Sequence, residues 1–187
     1  MPELWNEMLR EHAQVLTDMA AVGPTLAEIA DALIAALREN HRVYVIGNGG
    51  SAADAQHIAA EFLGRFRLER RALPVLALTT DTSTLTAIAN DTAYERVFAR
   101  QLEGLLNSGD VLWALSTSGD SPNVVAAAEL AAQRGAVTIG FTGAGGGRLA
   151  RHCRLLLRVP HTRSDRIQEA HQLAYHYICA RVEQAFA

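Results

Sequence analysis

Five short apolar runs, separated by longer segments of helical periodicity, constrain this chain more than any other feature. They are VYVI at 43–46, VLAL at 75–78, VLWAL at 111–115, VTIGF at 137–141 and LLLRV at 155–159. Apolar runs without alternation belong to strands covered on both faces, and strands that take turns with helices form a parallel sheet. Helices are expected at 52–63, at 83–104 with a break near Asn90-Asp91, at 121–134 and at 146–151, followed by a long amphipathic one at 164–186. Before the first strand, apolar residues at helical spacing over 2–39 are interrupted at Val22-Gly23-Pro24, which reads as two further helices. No repeat, low-complexity tract or linker divides the 187 residues, so 1–187 reads as one α/β domain with a helical pair at 1–40.

All 17 basic residues are arginine, and the chain has no lysine. That removes Schiff-base aldolases, pyridoxal phosphate enzymes and Walker-type nucleotide hydrolases, each of which needs a lysine. A net charge of -3 lacks the clustered cations of a nucleic-acid surface. Arg65, Arg67, Arg70 and Arg71 form the one tight basic cluster, which suits either a solvated helix end or an anion seat. No apolar run approaches the roughly 20 residues of a membrane span, no cleavable signal is visible at the start, and two cysteines (Cys153, Cys179) fit a reducing compartment. The expectation is a cytoplasmic protein with neither membrane nor nucleic acid as partner.

In such a sheet, ligands bind beyond the carboxyl ends of the strands, where strand order reverses. Three post-strand loops are small, polar and glycine-rich: GNGGSAAD (47–54), STSGDSPN (116–123) and TGAGGG (142–147). The first opens a helix, so free backbone N–H groups and the helix dipole can face an anion. Its Gly47-x-Gly49-x-x-Ala52 spacing is also a relaxed dinucleotide fingerprint, but the acidic partner is out of place, Asp81 being the nearest. The second is more specific. Ser116, Thr117, Ser118 and Ser121 offer four hydroxyls in six residues, whereas capping the next helix at Ser121-Pro122 needs only one. A phosphate monoester fits that excess. TGAGGG reads as a flexible turn.

His57 and Glu61 stand at i and i+4 on the helix opened by GNGGS, about two turns from the anion seat, and together can transfer a proton. On the last helix Gln168, Gln172 and His176 recur every fourth residue, with His171 off that line. His12, His41, His152 and His161 read as ordinary surface or core histidines. Imidazole, carboxylate and amide oxygen also make a divalent-metal set, although Gln168 and His176 lie about 12 Å apart along a helix.

GNGGSAADAQHIAAEF, TAIANDTAYERVF, STSGDSPNVVAA and SDRIQEAHQLAYH, in order over nearly the whole chain, resemble the phosphoheptose isomerases of the sugar isomerase (SIS) domain superfamily. The resemblance implies a three-layer sandwich whose five-stranded parallel sheet has flavodoxin-like order 2-1-3-4-5. It further implies a homotetramer built through the N- and C-terminal helices, with active sites at subunit interfaces. Its reaction is the conversion of sedoheptulose 7-phosphate, a phosphorylated seven-carbon sugar, to the glycero-manno-heptose 7-phosphate. Carried over residue by residue, it implies substrate contacts at Asn48, Gly49, Gly50, Asn90, Asp91, Ser116, Thr117, Ser118 and Ser121, with Arg65 and Asp165 in support. It implies one zinc per subunit on His57, Glu61, Gln168 and His176, with Glu61 and His176 as the acid–base pair. Two rivals share the fold. One is a noncatalytic tetrameric scaffold for the replication initiator DnaA, whose members lack the carboxylate and last histidine present here as Glu61 and His176. The other is an isomerase or sensor of a different sugar phosphate.

Overall fold

The five apolar runs become five parallel strands of one sheet in a computed structural model that describes residues 2–187. The strands are β1 (Val43–Ile46), β2 (Val75–Ala77), β3 (Val111–Leu115), β4 (Val137–Thr142) and β5 (Leu155–Arg158), in the spatial order β2-β1-β3-β4-β5. The expected order is therefore the observed one. Strand β1 pairs with β3 in register (Val43 with Val111, Ile46 with Ala114), so chain order reverses between them and their carboxyl ends lie side by side.

The double burial expected of the strands is present, and alternate residues feed two cores. Val43, Val45, Val111, Trp113, Ile139 and Phe141 face one layer; Tyr44, Ile46, Leu112 and Ala114 face the other. The first core is closed by α2 (Gly23–Arg38), α3 (Gly50–Leu63) and α7 (Ser164–Phe186), with the inner residue of α1 (Pro2–Asp18), Val15, joining it. The second is closed by α4 (Thr82–Asp91), α5 (Ala99–Leu105) and α6 (Pro122–Gln133). By length and composition the helical run Pro2–Arg38 could cross a membrane. A 3-10 turn at Met19–Val22 breaks that run, however, and Ile29, Ala30, Leu33 and Leu37 are spent on the first core.

Two helical segments differ most from the sequence expectation. The segment 83–104 is α4, a 3-10 turn at Tyr94–Arg96 and α5 rather than one helix with a nick. Asp81 starts α4 as its N-cap, its carboxylate accepting Thr84 N–H at 3.0 Å and Thr84 Oγ1–H at 2.6 Å, so its charge is spent on a helix start. The helix expected at 146–151 is a 3-10 turn, Arg148–His152, because Gly146 and Gly147 both have positive φ and reset the chain.

His171, buried on α7, donates Nε2–H to the Thr142 carbonyl at 3.3 Å. Burial pushes its pKa down to about 4. An unfolded histidine takes up a proton near pH 6.5, so this group's contribution to stability is complete above that pH and is lost as pH falls toward 4. Urea titrations should show about 2 kcal/mol less stability at pH 5 than at pH 7.5 from this group. That dependence should shrink in His171→Leu; an unchanged slope would remove His171 from the account.

Candidate active site

The loops after β1 and β3 meet over the switch point. Asn48 and Asn123 exchange two amide hydrogen bonds (2.8 and 2.9 Å), tying the 47–50 loop to the start of α6. Tyr94, three residues after α4 ends at Asp91, donates its hydroxyl to Asn48 Oδ1 at 3.1 Å, while Asn90 donates to Asp91 at 3.0 Å. Asn123 and Tyr94 were not singled out from the sequence, although both lie inside the quoted motifs. Gly50 is where α7 comes closest: a Cβ there would fall 2.3–2.4 Å from the Gln168 amide atoms. Gln168 thus lies under the first turn of α3.

In the second loop the hydroxyls converge. Ser116 Oγ is 3.1 Å from Ser121 Oγ and 3.5 Å from Ser118 Oγ, and Thr117 donates to Ser164 Oγ at 3.2 Å. Ser121 stands at the N-cap of α6, its carbonyl accepting from Val124 and Val125, but its hydroxyl makes no capping bond. The hydroxyl therefore serves the serine loop and not the helix start. TGAGGG is more than a loose turn. Gly119 has φ +71° and a Cβ on it would stand 2.2 Å from the Gly146 carbonyl, while Arg148 N–H donates to Asp120 at 2.9 Å. The turn is the back wall of the serine loop.

About two turns along α3 from Gly50, His57 Nε2 lies 3.0 Å from Glu61 Oε1. α7 brings His176 beside them, its ring centroid 5.1 Å from that of His57. One ligand atom from each of His57, Glu61 and His176 lies within 4.8 Å of the others, a spacing that a divalent cation can bridge. The pKa of His176 is lowered by burial first and then by His57 and Arg67, against the pull of Glu61. The direction of that shift favours the uncharged ring that a metal ligand needs. The concern over eight residues of helix stands: Gln168 lies at Gly50 and His176 at His57, about two turns apart along α3.

Behind the cluster, Tyr175 Oη is 3.0 Å from His57 Nδ1 and 3.4 Å from Asp54 Oδ1. Burial raises the Asp54 carboxyl, with Tyr175, Gln168 and His57 pulling it back. In front of it, Phe66 stacks on His176 (5.5 Å, 24°) and the Arg67 guanidinium lies 4.7 Å over the Phe66 ring. Within this chain Arg65 pairs with Glu69, and Asp165 with Arg163 and Arg166, so neither is joined to the cluster. Arg163 first, then Arg166, holds the Asp165 carboxyl down at about 2. The arginine cluster follows neither of its two readings throughout. Arg65 is solvated, while the Arg70 side chain is 2% exposed and donates to the carbonyls of Glu61, Phe62, Gly64 and Arg71.

The SIS domain family model matches residues 8–143, and a parallel sheet of this order with hydroxyl-lined loops at its switch point accords with that class. Closer relatives narrow the class. A phosphoheptose isomerase of Burkholderia pseudomallei (strain K96243) is 49% identical over 179 residues, 96% of this chain and 90% of the relative. The structure of the phosphoheptose isomerase GmhA from Neisseria gonorrhoeae superposes with a TM-score of 0.93 at 38% identity, over 98% of each chain. A Francisella tularensis phosphoheptose isomerase structure gives 0.94 at 35%, over 97% of each. The chain belongs to the phosphoheptose isomerase family.

Proposed function

We infer that the chain is an aldose–ketose isomerase converting sedoheptulose 7-phosphate to D-glycero-D-manno-heptose 7-phosphate in heptose biosynthesis, toward lipopolysaccharide or another cell-surface glycan. One observation carries this reading: His57 and Glu61 of α3 and His176 of α7 form one cluster about two turns along α3 from its start at the switch point, where the hydroxyl-lined loop after β3 also lies. The interval between them, about 10 Å of helix, is comparable to a seven-carbon chain with phosphate at one end and the reacting carbonyl at the other.

Ser116, Thr117, Ser118 and Ser121 hold the phosphate. Asn48, Gly49, Gly50, Asn90 and Asp91 line the sugar, and Arg65, Asp165 and Gln168 support it. Binding energy from the remote phosphate thus orients the reacting carbons. From the ketose, Glu61 takes a proton from C1 while His176 delivers one to O2, giving the enediol. His176 then takes the O1 proton, and Glu61 returns its own to C2, leaving the aldehyde at C1. The base at carbon and the acid at oxygen are different groups, so neither has to cross the sugar. One zinc per subunit would be held by His57, Glu61, Gln168 and His176, and would supply Lewis-acid charge to polarise the substrate carbonyl.

The protein works as a cytoplasmic homotetramer formed by residues 1–40 and α7, within one SIS domain spanning 1–187. Exposed Leu4, Trp5 and Leu9 of α1 and Leu173 and Tyr177 of α7 support that assembly, because such surfaces gain from burial. The test is turnover of sedoheptulose 7-phosphate by the purified chain. Activity should disappear with chelator and return with zinc; a folded tetramer inactive under every metal condition would favour the DnaA-binding scaffold. Ser121→Ala provides a second check. Because its hydroxyl caps nothing, stability should change by less than about 0.5 kcal/mol while KM rises about tenfold. A loss of stability with unchanged KM would make Ser121 a structural cap.

A further inference from the structure

Tyr175 and Asp54 take no part in the chemistry above, yet both are buried directly behind it. Asp54 Oδ2 has no hydrogen-bond partner among the described residues, and Oδ1 has only the Tyr175 hydroxyl, at 3.4 Å. The same hydroxyl lies 3.0 Å from His57 Nδ1, and the far nitrogen of that ring, Nε2, lies 3.0 Å from Glu61 Oε1. A phenol has one proton to give, and a neutral imidazole, the form that can ligate a metal, carries one N–H, so for that form two arrangements exist. If Tyr175 gives it to His57 Nδ1, then Nε2–H donates to Glu61, and the buried Asp54 carboxylate is left with neither oxygen paired. Such a group costs about 1–3 kcal/mol or more. If Tyr175 gives it to Asp54, the phenol oxygen accepts Nδ1–H and His57 presents a bare Nε2 lone pair toward Glu61. Two acceptors 3.0 Å apart repel each other, but both side chains reach solvent, so even without a cation the Glu61 carboxylate can turn away at less cost than leaving the buried Asp54 unpaired.

We propose that Asp54 and Tyr175 form a relay that commits His57 to its Nδ1–H tautomer, so that Nε2 faces Glu61 and His176 as a ready metal ligand. Asp54 acts through Tyr175 and Tyr175 through His57; both are positioning residues. The arrangement matches the general requirement that a ligating histidine have its other ring nitrogen fixed by an outer partner. Here a tyrosine is interposed between carboxylate and imidazole. Placement explains why: Asp54 lies nearly one turn before His57 on α3, and Tyr175 comes from α7, next to His176. A single residue of α7 thus fixes the ligand on α3, and its neighbour completes the cluster. The proposal rests on the metal-assisted isomerase reading, but its readout does not.

The test uses the full-length chain labelled with 15N-histidine, first stripped by chelator and then titrated with zinc. His57 should report the Nδ1–H tautomer in both states, its signal assigned by its loss in His57→Gln. In Tyr175→Phe the stripped protein should switch His57 to the Nε2–H tautomer, bonded to Glu61, and zinc affinity measured against a chromophoric chelator should fall 10- to 100-fold. Asp54→Asn, which keeps a weaker acceptor for the hydroxyl, should produce a mixed tautomer and a smaller loss; it also carries the test if Tyr175→Phe fails to fold. An Nε2–H tautomer in the stripped parent protein, or a tautomer and affinity unmoved by either substitution, overturns the relay. A parent chain with the Nδ1–H signal and no turnover of sedoheptulose 7-phosphate would uphold the relay and sink the isomerase reading.

Discussion

Glu61→Gln is expected to lower kcat for sedoheptulose 7-phosphate about a thousandfold, within the usual range for loss of a positioned acid–base group. The substitution keeps size, helix propensity and an oxygen able to face His57, so folding and the far-ultraviolet spectrum should not change. What it removes is basicity. A carboxamide cannot take a proton from carbon, and the enediol has no other route if Glu61 is the shuttle. KM should move by less than about threefold, because the phosphate is held by the serine loop at the other end of the substrate. The same split is expected for His176→Gln. Saturating zinc in both assays separates lost proton transfer from weakened metal binding. Turnover within tenfold of the parent, in either variant, would mean that the proton moves by another path.

How far the sequence reveals this depends on what each residue is doing. The sheet was legible because a doubly covered strand has a composition no helix surface shares; VLWAL is β3 to the residue. β2 ends at Ala77, one residue before the VLAL run does, because it is an edge strand and its Leu76 is 41% exposed. His57 and Glu61 could be paired from spacing alone, since both belong to one helix. His176 joined them through resemblance, and its approach to His57 depends on how α7 packs across α3, which no local pattern specifies. Asp54 and Tyr175 were harder still. An aspartate near the start of a helix reads as a favourable charge at the helix dipole, and a tyrosine in an apolar stripe reads as core. Their meaning lies in one shared hydroxyl. Least legible were Arg70 and Glu183, since charged side chains are expected outside and these are 2% exposed.

That buried pair governs the second large effect. Glu183, near the end of α7, accepts the backbone N–H groups of Phe66, Arg67 and Leu68, each at 2.8 Å, and lies 3.8 Å from Arg70 Nε. Burial works against its charge most strongly, yet the three N–H groups and Arg70 outweigh it and hold the carboxyl below the usual range. Glu183→Ala leaves three amides and a buried guanidinium without their anion, a loss of about 3–5 kcal/mol and roughly 10 °C in Tm. Because the folded pKa is depressed, this contribution is complete above the ordinary glutamate range and is lost as pH falls through the lower folded value. That lies below the range in which His171 acts, so acid should weaken the fold in two stages. The loop these bonds hold also carries Phe66, which stacks on His176, so the damage should reach the chemistry as well. Glu183→Gln keeps one acceptor oxygen and should fall between parent and alanine in Tm. At a temperature where it is fully folded, its kcat should still drop several-fold, because a loosened Phe66 no longer holds the imidazole in place. A Glu183→Gln protein with lowered Tm and parental kcat would show that the loop stabilises the fold without positioning His176.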